Sequence, residues 1–171
     1  MKHILGALTA FFIPFAAAAQ GLPGGASTLS ETHGDWAVSC RGSENDITCS
    51  MSQRHVRDES RQLVLAIELH PQGPDAANGI ILLPFGLRLA DGVMLAIDEE
   101  AQIATLPFST CLPSGCIVRI SLETDTVAAL REGDKLNIVT TADDGGEAVQ
   151  LDVSLNGFTS ALQRIAALRA N

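Results

Sequence analysis

The stretch PFSTCLPSGC, residues 107–116, decides the fold class of this 171-residue chain. Its two cysteines, Cys111 and Cys116, enclose Leu-Pro-Ser-Gly, which suits a type I turn with proline second and glycine fourth. The flanking segments IATLPFSTC and CIVRISLE have the composition of strands. A disulfide across the neck of such a hairpin would close a small ring and stabilise the fold by about 2 kcal/mol. The stretch therefore predicts two antiparallel strands joined by a tight, bridged turn.

The other two cysteines predict a second hairpin of the same kind. The segment RGSENDIT, rich in turn formers, separates Cys40 from Cys49, and Trp36 alternates onto the same strand face as Cys40. A bridge here would contribute about 2.7 kcal/mol. Four cysteines allow three pairings. The local sequence favours the pairing of neighbours, Cys40 with Cys49 and Cys111 with Cys116, and leaves the other two open.

Two other roles for the cysteines fit the sequence less well. A redox pair needs the spacing C-x-x-C at a helix N-terminus, whereas four residues separate Cys111 from Cys116 and the flanks are strand-like. A zinc site needs further soft ligands at matching spacing, and no histidine lies close to Cys40 and Cys49. We therefore predict that all four cysteines form disulfides, with no catalytic, cofactor-binding or metal-binding residue among them.

The N-terminus predicts export. A short basic start precedes an apolar run over residues 4–15, and the alanines at 17–19 suit a signal-peptidase site before Gln20. The alternative, an uncleaved anchor, needs a longer apolar run. We expect a signal peptide over residues 1–19, a flexible leader rich in Gly, Ser, Thr and Pro over 20–33, and a single β-rich domain over 34–171.

Composition excludes several partners. Removal of Lys2 with the signal peptide leaves 11 − 1 = 10 basic residues against 20 acidic ones, a net charge of −10. Such a chain repels phosphate backbones, so we expect no nucleic-acid partner. The longest later apolar run, GIILLPFGL at 79–87, is half a membrane span, so we expect no stable membrane insertion after cleavage. Paired cysteines suit the periplasm, or a secreted or surface-associated location.

Short runs of alternating apolar residues, broken by turn signals, predict eight to nine strands from residue 34 onward. Pro84 lies within the predicted strand 80–89 and would confine it to an edge or a bulge. Two short helices are predicted, one over 124–133 and one at the C-terminus from Phe158. The fold class predicted is mostly β: an antiparallel β-sandwich or partly open barrel with two short helices.

No catalytic motif is present in the sequence. Neither G-x-S-x-G nor H-E-x-x-H occurs, and His33, His55 and His70 each stand alone at a strand end or in a loop. Trp36 is predicted to lie in the core, which leaves few aromatic rings for stacking on sugars. A hydrolase would require His55, His70 and Asp98 to converge in space. We predict that the protein is not an enzyme and needs no cofactor.

Four segments resemble the invasion-associated locus B family of bacteria. They are GDWAVSC (34–40), LPFGLRLADGVMLAID (83–98), LPFSTCLPSGC (106–116) and NGFTSAL (156–162). The resemblance runs from Gly34 to about Leu168. It implies a small, exported, β-rich protein of the periplasm or cell surface, linked to host-cell invasion in some pathogens. It also implies disulfides at the four cysteines, and it carries over no catalytic residue.

These observations favour an exported, non-enzymatic binding protein that acts on a protein or another envelope component. An exposed strand edge can recruit an extended peptide by strand addition, and Pro84 marks one candidate edge. A stress-related or structural stabiliser of the envelope is the alternative. A periplasmic hydrolase is the third hypothesis, and the sequence favours it least.

Overall fold

A computed structural model describes residues 21–43, 46–99 and 102–170. The predicted signal peptide, residues 1–19, lies outside the described part of the chain, as does the tip of the first hairpin at residues 44 and 45.

The described residues form eleven strands and two α-helices. The strands are β1 (Thr28–His33), β2 (Trp36–Ser43), β3 (Asp46–Val56), β4 (Leu63–Pro71), β5 (Ala77–Leu83), β6 (Val93–Ile97), β7 (Gln102–Leu106), β8 (Phe108–Leu112), β9 (Gly115–Leu122), β10 (Lys135–Thr141) and β11 (Ala148–Ser154). The helices are α1 (Thr124–Glu132) and α2 (Phe158–Arg169).

The strands pair into two antiparallel sheets. The larger sheet has the order β1-β2-β3-β4-β5-β9-β8, and the smaller has the order β11-β10-β6-β7. These sheets do not close into a barrel. The prediction of a mostly β, antiparallel fold with two helices, one of them C-terminal, is confirmed.

Both sheets share one hydrophobic core. Alternate residues of most strands in the larger sheet are buried, as in β2, where Trp36, Val38 and Cys40 are buried and their neighbours are exposed. Helix α2 packs on the inner face of β1, β2 and β3. The Trp36 and Phe158 rings meet edge to face with centroids 5.5 Å apart, so the predicted core position of Trp36 is confirmed.

A polar contact inside the core ties the two sheets together. The Trp36 indole N–H donates to the Ser154 carbonyl at 2.9 Å. The buried Gln53 side chain donates to the same carbonyl at 2.6 Å and accepts from the Ser154 N–H at 3.3 Å. The Gln53 amide thus bonds to the end of β11 as a neighbouring backbone would, and its burial leaves no polar atom without a partner.

The prediction of a flexible leader through residue 33 is wrong for its second half. Residues Thr28–His33 form β1, which pairs along its length with β2. Leu22 is only 3% exposed, and its Cγ lies 3.4 Å from the point where Gly42 would carry a Cβ. A Ser- and Thr-rich composition resembles a linker, yet the same short side chains also suit the exposed face of an edge strand.

The prediction that Pro84 marks a sheet edge is also wrong. Strand β5 ends at Leu83, one residue earlier, and lies inside the larger sheet between β4 and β9. Pro84 instead begins the passage from the larger sheet to the smaller one. Pro107 has the opposite role, since it separates β7 in the smaller sheet from β8 in the larger. A proline suits both places because it cannot donate to a strand ladder.

Candidate functional site

The run QIATLPFSTCL, residues 102–112, forms a free edge in both sheets. Strand β7 is the last strand of the smaller sheet and pairs only with β6, whereas β8 is the last strand of the larger sheet and pairs only with β9. These eleven residues include no charged side chain, although 18% of the chain is charged. We name residues 102–112 the open edge.

The hairpin at the end of the open edge is held rigidly. Cys111 and Cys116 are opposite each other and bridged, with Cα atoms 3.9 Å apart. So short a separation is typical of a non-hydrogen-bonded pair, whose backbone groups point away from the partner strand. The N–H and C=O of Cys111 therefore face outward from β9.

The turn of this hairpin fits closely against the end of β5. Gly115 has φ +140°, and a Cβ at this position would lie 2.4 Å from the Leu83 carbonyl oxygen. Any side chain here would force the hairpin away from β5. The glycine of the LPSGC motif thus fixes where β8 lies.

Exposed apolar side chains occur on the open edge and in the segment that follows β5. Among the described large apolar residues, four are more than a third exposed: Phe85 at 61%, Leu112 at 47%, Leu89 at 45% and Ile103 at 38%. Leu112 and Ile103 belong to the open edge. Phe85 leaves β5 beside the bridged hairpin, since Leu83 pairs with Cys116. Exposed aromatic and aliphatic groups of this kind are typical anchors in protein contacts.

A small pocket lies beside Phe85. It has a volume of about 310 Å³, and it opens between the ends of β4 and β11. Apolar side chains make most of its wall, including Leu63, Val64, Pro84, Val149 and Leu151. The pocket is large enough for one apolar side chain of a partner.

The four predicted cysteines are found where the sequence places them. Cys40 bonds to Cys49 and Cys111 bonds to Cys116, which confirms the pairing of neighbours. The described residues hold no free cysteine. Cys40, Cys49 and Cys116 are buried, whereas Cys111 is exposed on β8.

The residues required for a hydrolase do not converge. His55 pairs with Leu65 on the inner side of β3, whereas His70 lies on the outer face about 17 Å further along β4. Asp98 follows β6 in the other sheet, where its carboxylate accepts the Lys135 N–H at 2.8 Å. Each of the three has a local contact of its own, with His55 beside Gln53 at 3.2 Å and His70 beside Glu68 at 3.3 Å.

An ion pair that the sequence does not reveal joins β1 to α2. The Arg164 guanidinium donates to both oxygens of the Glu31 carboxylate at 2.7 Å, and His33 Nε2 lies 3.3 Å from the same carboxylate. The hydrogen bonds from Arg164, with a smaller effect of His33, hold the pKa of Glu31 below its ordinary value. This contact fixes the N-terminal edge strand on the helix.

Neither helix within the described ranges has the length and apolarity that crossing a bilayer requires. In the same residues, no three His, Cys, Asp or Glu side chains are grouped as metal ligands would be.

Sequence reasoning missed the open edge. The signal available was the eleven-residue run without charge, which stands out in a chain so rich in acidic groups. Its position at the margin of both sheets depends on β5 pairing with β9 rather than with β6, and no local pattern reveals that pairing.

A family model and two related proteins match most of the chain. The sequence model of the family described as "Invasion associated locus B (IalB) protein" matches residues 36–166. The chain is 44% identical over 153 residues to an invasion protein B homolog of Brucella abortus (strain 2308), covering 90% of this chain and 88% of that one. It is 33% identical over 150 residues to invasion protein B of Bartonella bacilliformis, covering 86% and 80%.

A solved structure supports the same relationship. The crystal structure of invasion associated protein b from Bartonella henselae superposes with a TM-score of 0.76 at 34% identity, covering 83% of this chain and 97% of that one.

Proposed function

Because the chain belongs to the invasion-associated locus B family, we propose that it is an exported, non-enzymatic interaction protein of the periplasm that binds a protein partner through the open edge. Two disulfides suit an oxidising compartment, and the sequence begins with the pattern of a signal peptide. The names of the related proteins refer to invasion and to no catalytic activity.

The observation that carries the proposal is the margin of the two sheets that has no charged side chain. Natural proteins usually blunt such margins with charged side chains, because a bare strand edge attracts other strands. The opposite margin of the larger sheet follows that rule: β1 carries Glu31 and His33. The open edge has neither acid nor base. What limits strand addition there is a bulge in each of β7 and β8 and the prolines on either side of β8, Pro107 and Pro113.

The length and geometry of β8 limit what can bind. Five residues allow a short extended segment of a partner to pair with outward-facing groups such as the N–H and C=O of Cys111. Leu112, at the end of β8, would contact an apolar side chain of that segment. The disulfide keeps β8 in place before the partner arrives, which lowers the ordering cost of binding.

Site-specific photo-crosslinking in the periplasm tests this function. A benzoylphenylalanine at exposed Thr110 of β8 should give a discrete covalent adduct, and the same group at exposed Ala128 of α1 should give none. A crosslinker at Ile103 of β7 should also give an adduct. Thr110→Lys should abolish that adduct, because the lysine must be desolvated when a strand pairs with β8.

Two results would contradict the proposal. Adducts of equal yield from Thr110 and Ala128, or an adduct that survives Thr110→Lys, would show that the open edge is not the contact surface. If neither position gives an adduct, the alternative of an envelope stabiliser without a defined ligand gains support.

A further inference from the structure

A second surface lies on the other side of the larger sheet, away from the open edge. The outer face of β1 to β4 has a groove of about 610 Å³. Its wall includes six short or basic side chains that point outward: Thr28, Ser30, Ser39, Arg41, Thr48 and Ser50. We name it the hydroxyl groove.

The strand register arranges these side chains in two rows. Ser30 is opposite Ser39, and Ser39 is opposite Ser50, so three hydroxyl groups cross the strands side by side. Arg41 occupies the middle of the next row, between Thr28 and Thr48. Neighbouring strands are about 4.8 Å apart, so each row is a ladder of polar groups at that spacing.

Three serine hydroxyls and one arginine of the groove are free to bind. In the described part of the chain, the hydroxyls of Ser30, Ser39 and Ser50 make no hydrogen bond to protein, and Arg41 has no ionic partner. The backbone beneath them is already paired within the sheet, so the groove offers side chains alone.

Charge defines one end of the groove. Arg41 is an exposed cation in a chain whose formal charge is −9. On the opposite side, Glu68 lies 3.3 Å from His70, so its carboxylate already has a neighbour. An anionic group on a ligand would therefore find its partner at Arg41.

We propose that the hydroxyl groove binds an oligosaccharide that carries carboxylate groups. Sugar hydroxyls match a floor of unpaired hydroxyls, and a sugar carboxylate matches Arg41. A peptide fits less well, because the floor has no free backbone groups for an extended strand. No Phe, Trp or Tyr ring lines the groove, so binding rests on hydrogen bonds and charge and should weaken as salt rises. The inference is independent of the function proposed for the open edge.

The test is a titration followed by amide NMR shifts, with trigalacturonate as the probe. We expect the shifts to lie in β1, β2 and β3, and maltotriose, which lacks carboxylates, to bind about tenfold more weakly. Triglutamate, a peptide with the same number of side-chain carboxylates, should leave these signals unmoved. Arg41→Gln should weaken trigalacturonate about tenfold, as should Ser39→Val, which puts methyl groups on the floor.

Arg54→Gln is the matched control. Arg54 is exposed on the same face but six residues beyond Thr48, about 20 Å along β3, and is beyond the reach of screened charge interactions. The affinity of the Arg54→Gln variant for trigalacturonate should stay within about twofold of that of the unmodified protein. Equal losses in the two arginine variants, binding of triglutamate as tight as that of trigalacturonate, or no shifts at millimolar trigalacturonate would each overturn the proposal.

Discussion

The hairpins β2–β3 and β8–β9 are each closed by a disulfide, but the first disulfide is buried and the second lies at the margin of the sheet. In the first, Cys40 and Cys49 are 2% and 4% exposed, β1 covers the outer strand, and Leu22 packs over Gly42. In the second, Cys111 is exposed, and β8 is the uncovered margin of the sheet. The first bridge is therefore part of the core, and the second shapes a surface.

A disulfide on a short hairpin can therefore have either of two roles. It can stabilise the folded protein, or it can hold a surface strand in position for binding. The ring closed by Cys40 and Cys49 adds to a packed region that would hold much of its structure without it. The ring closed by Cys111 and Cys116 acts on a five-residue strand with little burial, where few other contacts define its position. We therefore expect loss of the first bridge to reduce stability most, and loss of the second to affect partner binding most.

Removing each bridge in turn tests the comparison and should give the largest effect. Cys40→Ala with Cys49→Ala should lower the free energy of unfolding by about 4 kcal/mol, the sum of lost loop closure and two small cavities. Cys111→Ala with Cys116→Ala should cost about 2 kcal/mol. Denaturant unfolding of both double variants gives the two values. Equal costs, or the reverse order, would show that the burial of the two bridges does not set their contributions.

Two leucines, one on each hairpin, allow the same comparison with a smaller expected change in the free energy of unfolding. Leu22→Ala should lower the free energy of unfolding by about 2 kcal/mol, because the side chain is 3% exposed and seals the first hairpin. Leu112→Ala, at 47% exposure on the second hairpin, should change it by less than about 0.5 kcal/mol. Leu112→Ala should instead reduce the crosslinked adduct formed from Thr110. A stability loss at Leu112 as large as that at Leu22 would contradict this division.

The smallest effect concerns the strand that covers the first hairpin. Glu31 has a lowered pKa in the folded protein, so its pairing with Arg164 stabilises the fold above the ordinary carboxyl pKa. That contribution is lost as the pH falls below 4.5 and through the lowered value. Glu31→Gln should lower Tm by about 2 °C or less at neutral pH, and by progressively less as the pH falls below 4.5. A Tm difference that is constant with pH would show that the carboxylate charge is not involved.

Much of the fold followed from local pattern. Alternation around Cys40 and Cys49, the Leu-Pro-Ser-Gly turn and the helical spacing from Phe158 each specify an element without help from distant residues. The failure to predict strand β1 has a physical reason. Strand β1 consists mainly of short polar and charged side chains. Its inward-facing residues are only half-buried and include Glu31 and His33, so its hydrophobic signal is weak.

The candidate site was harder to predict than the fold. Whether a strand lies at a margin depends on the order of strands in the sheet, and that order is set by packing between distant segments. The predicted strand through IATLPFSTC is in fact β7 and β8, which belong to different sheets. Pro107 was visible at the junction, yet only tertiary packing decides that the chain changes sheet there.

The contact between Trp36 and the C-terminal segment has a consequence for the order of folding. The indole bonds to Ser154, 118 residues later, and stacks against Phe158 at the start of the last helix. Because a chain emerges from the ribosome N-terminus first, the β2–β3 hairpin is made well before Ser154 and Phe158, and these two contacts of its tryptophan must form later. Synthesis of this distant segment is thus the event that permits Trp36 to complete its contacts in the core.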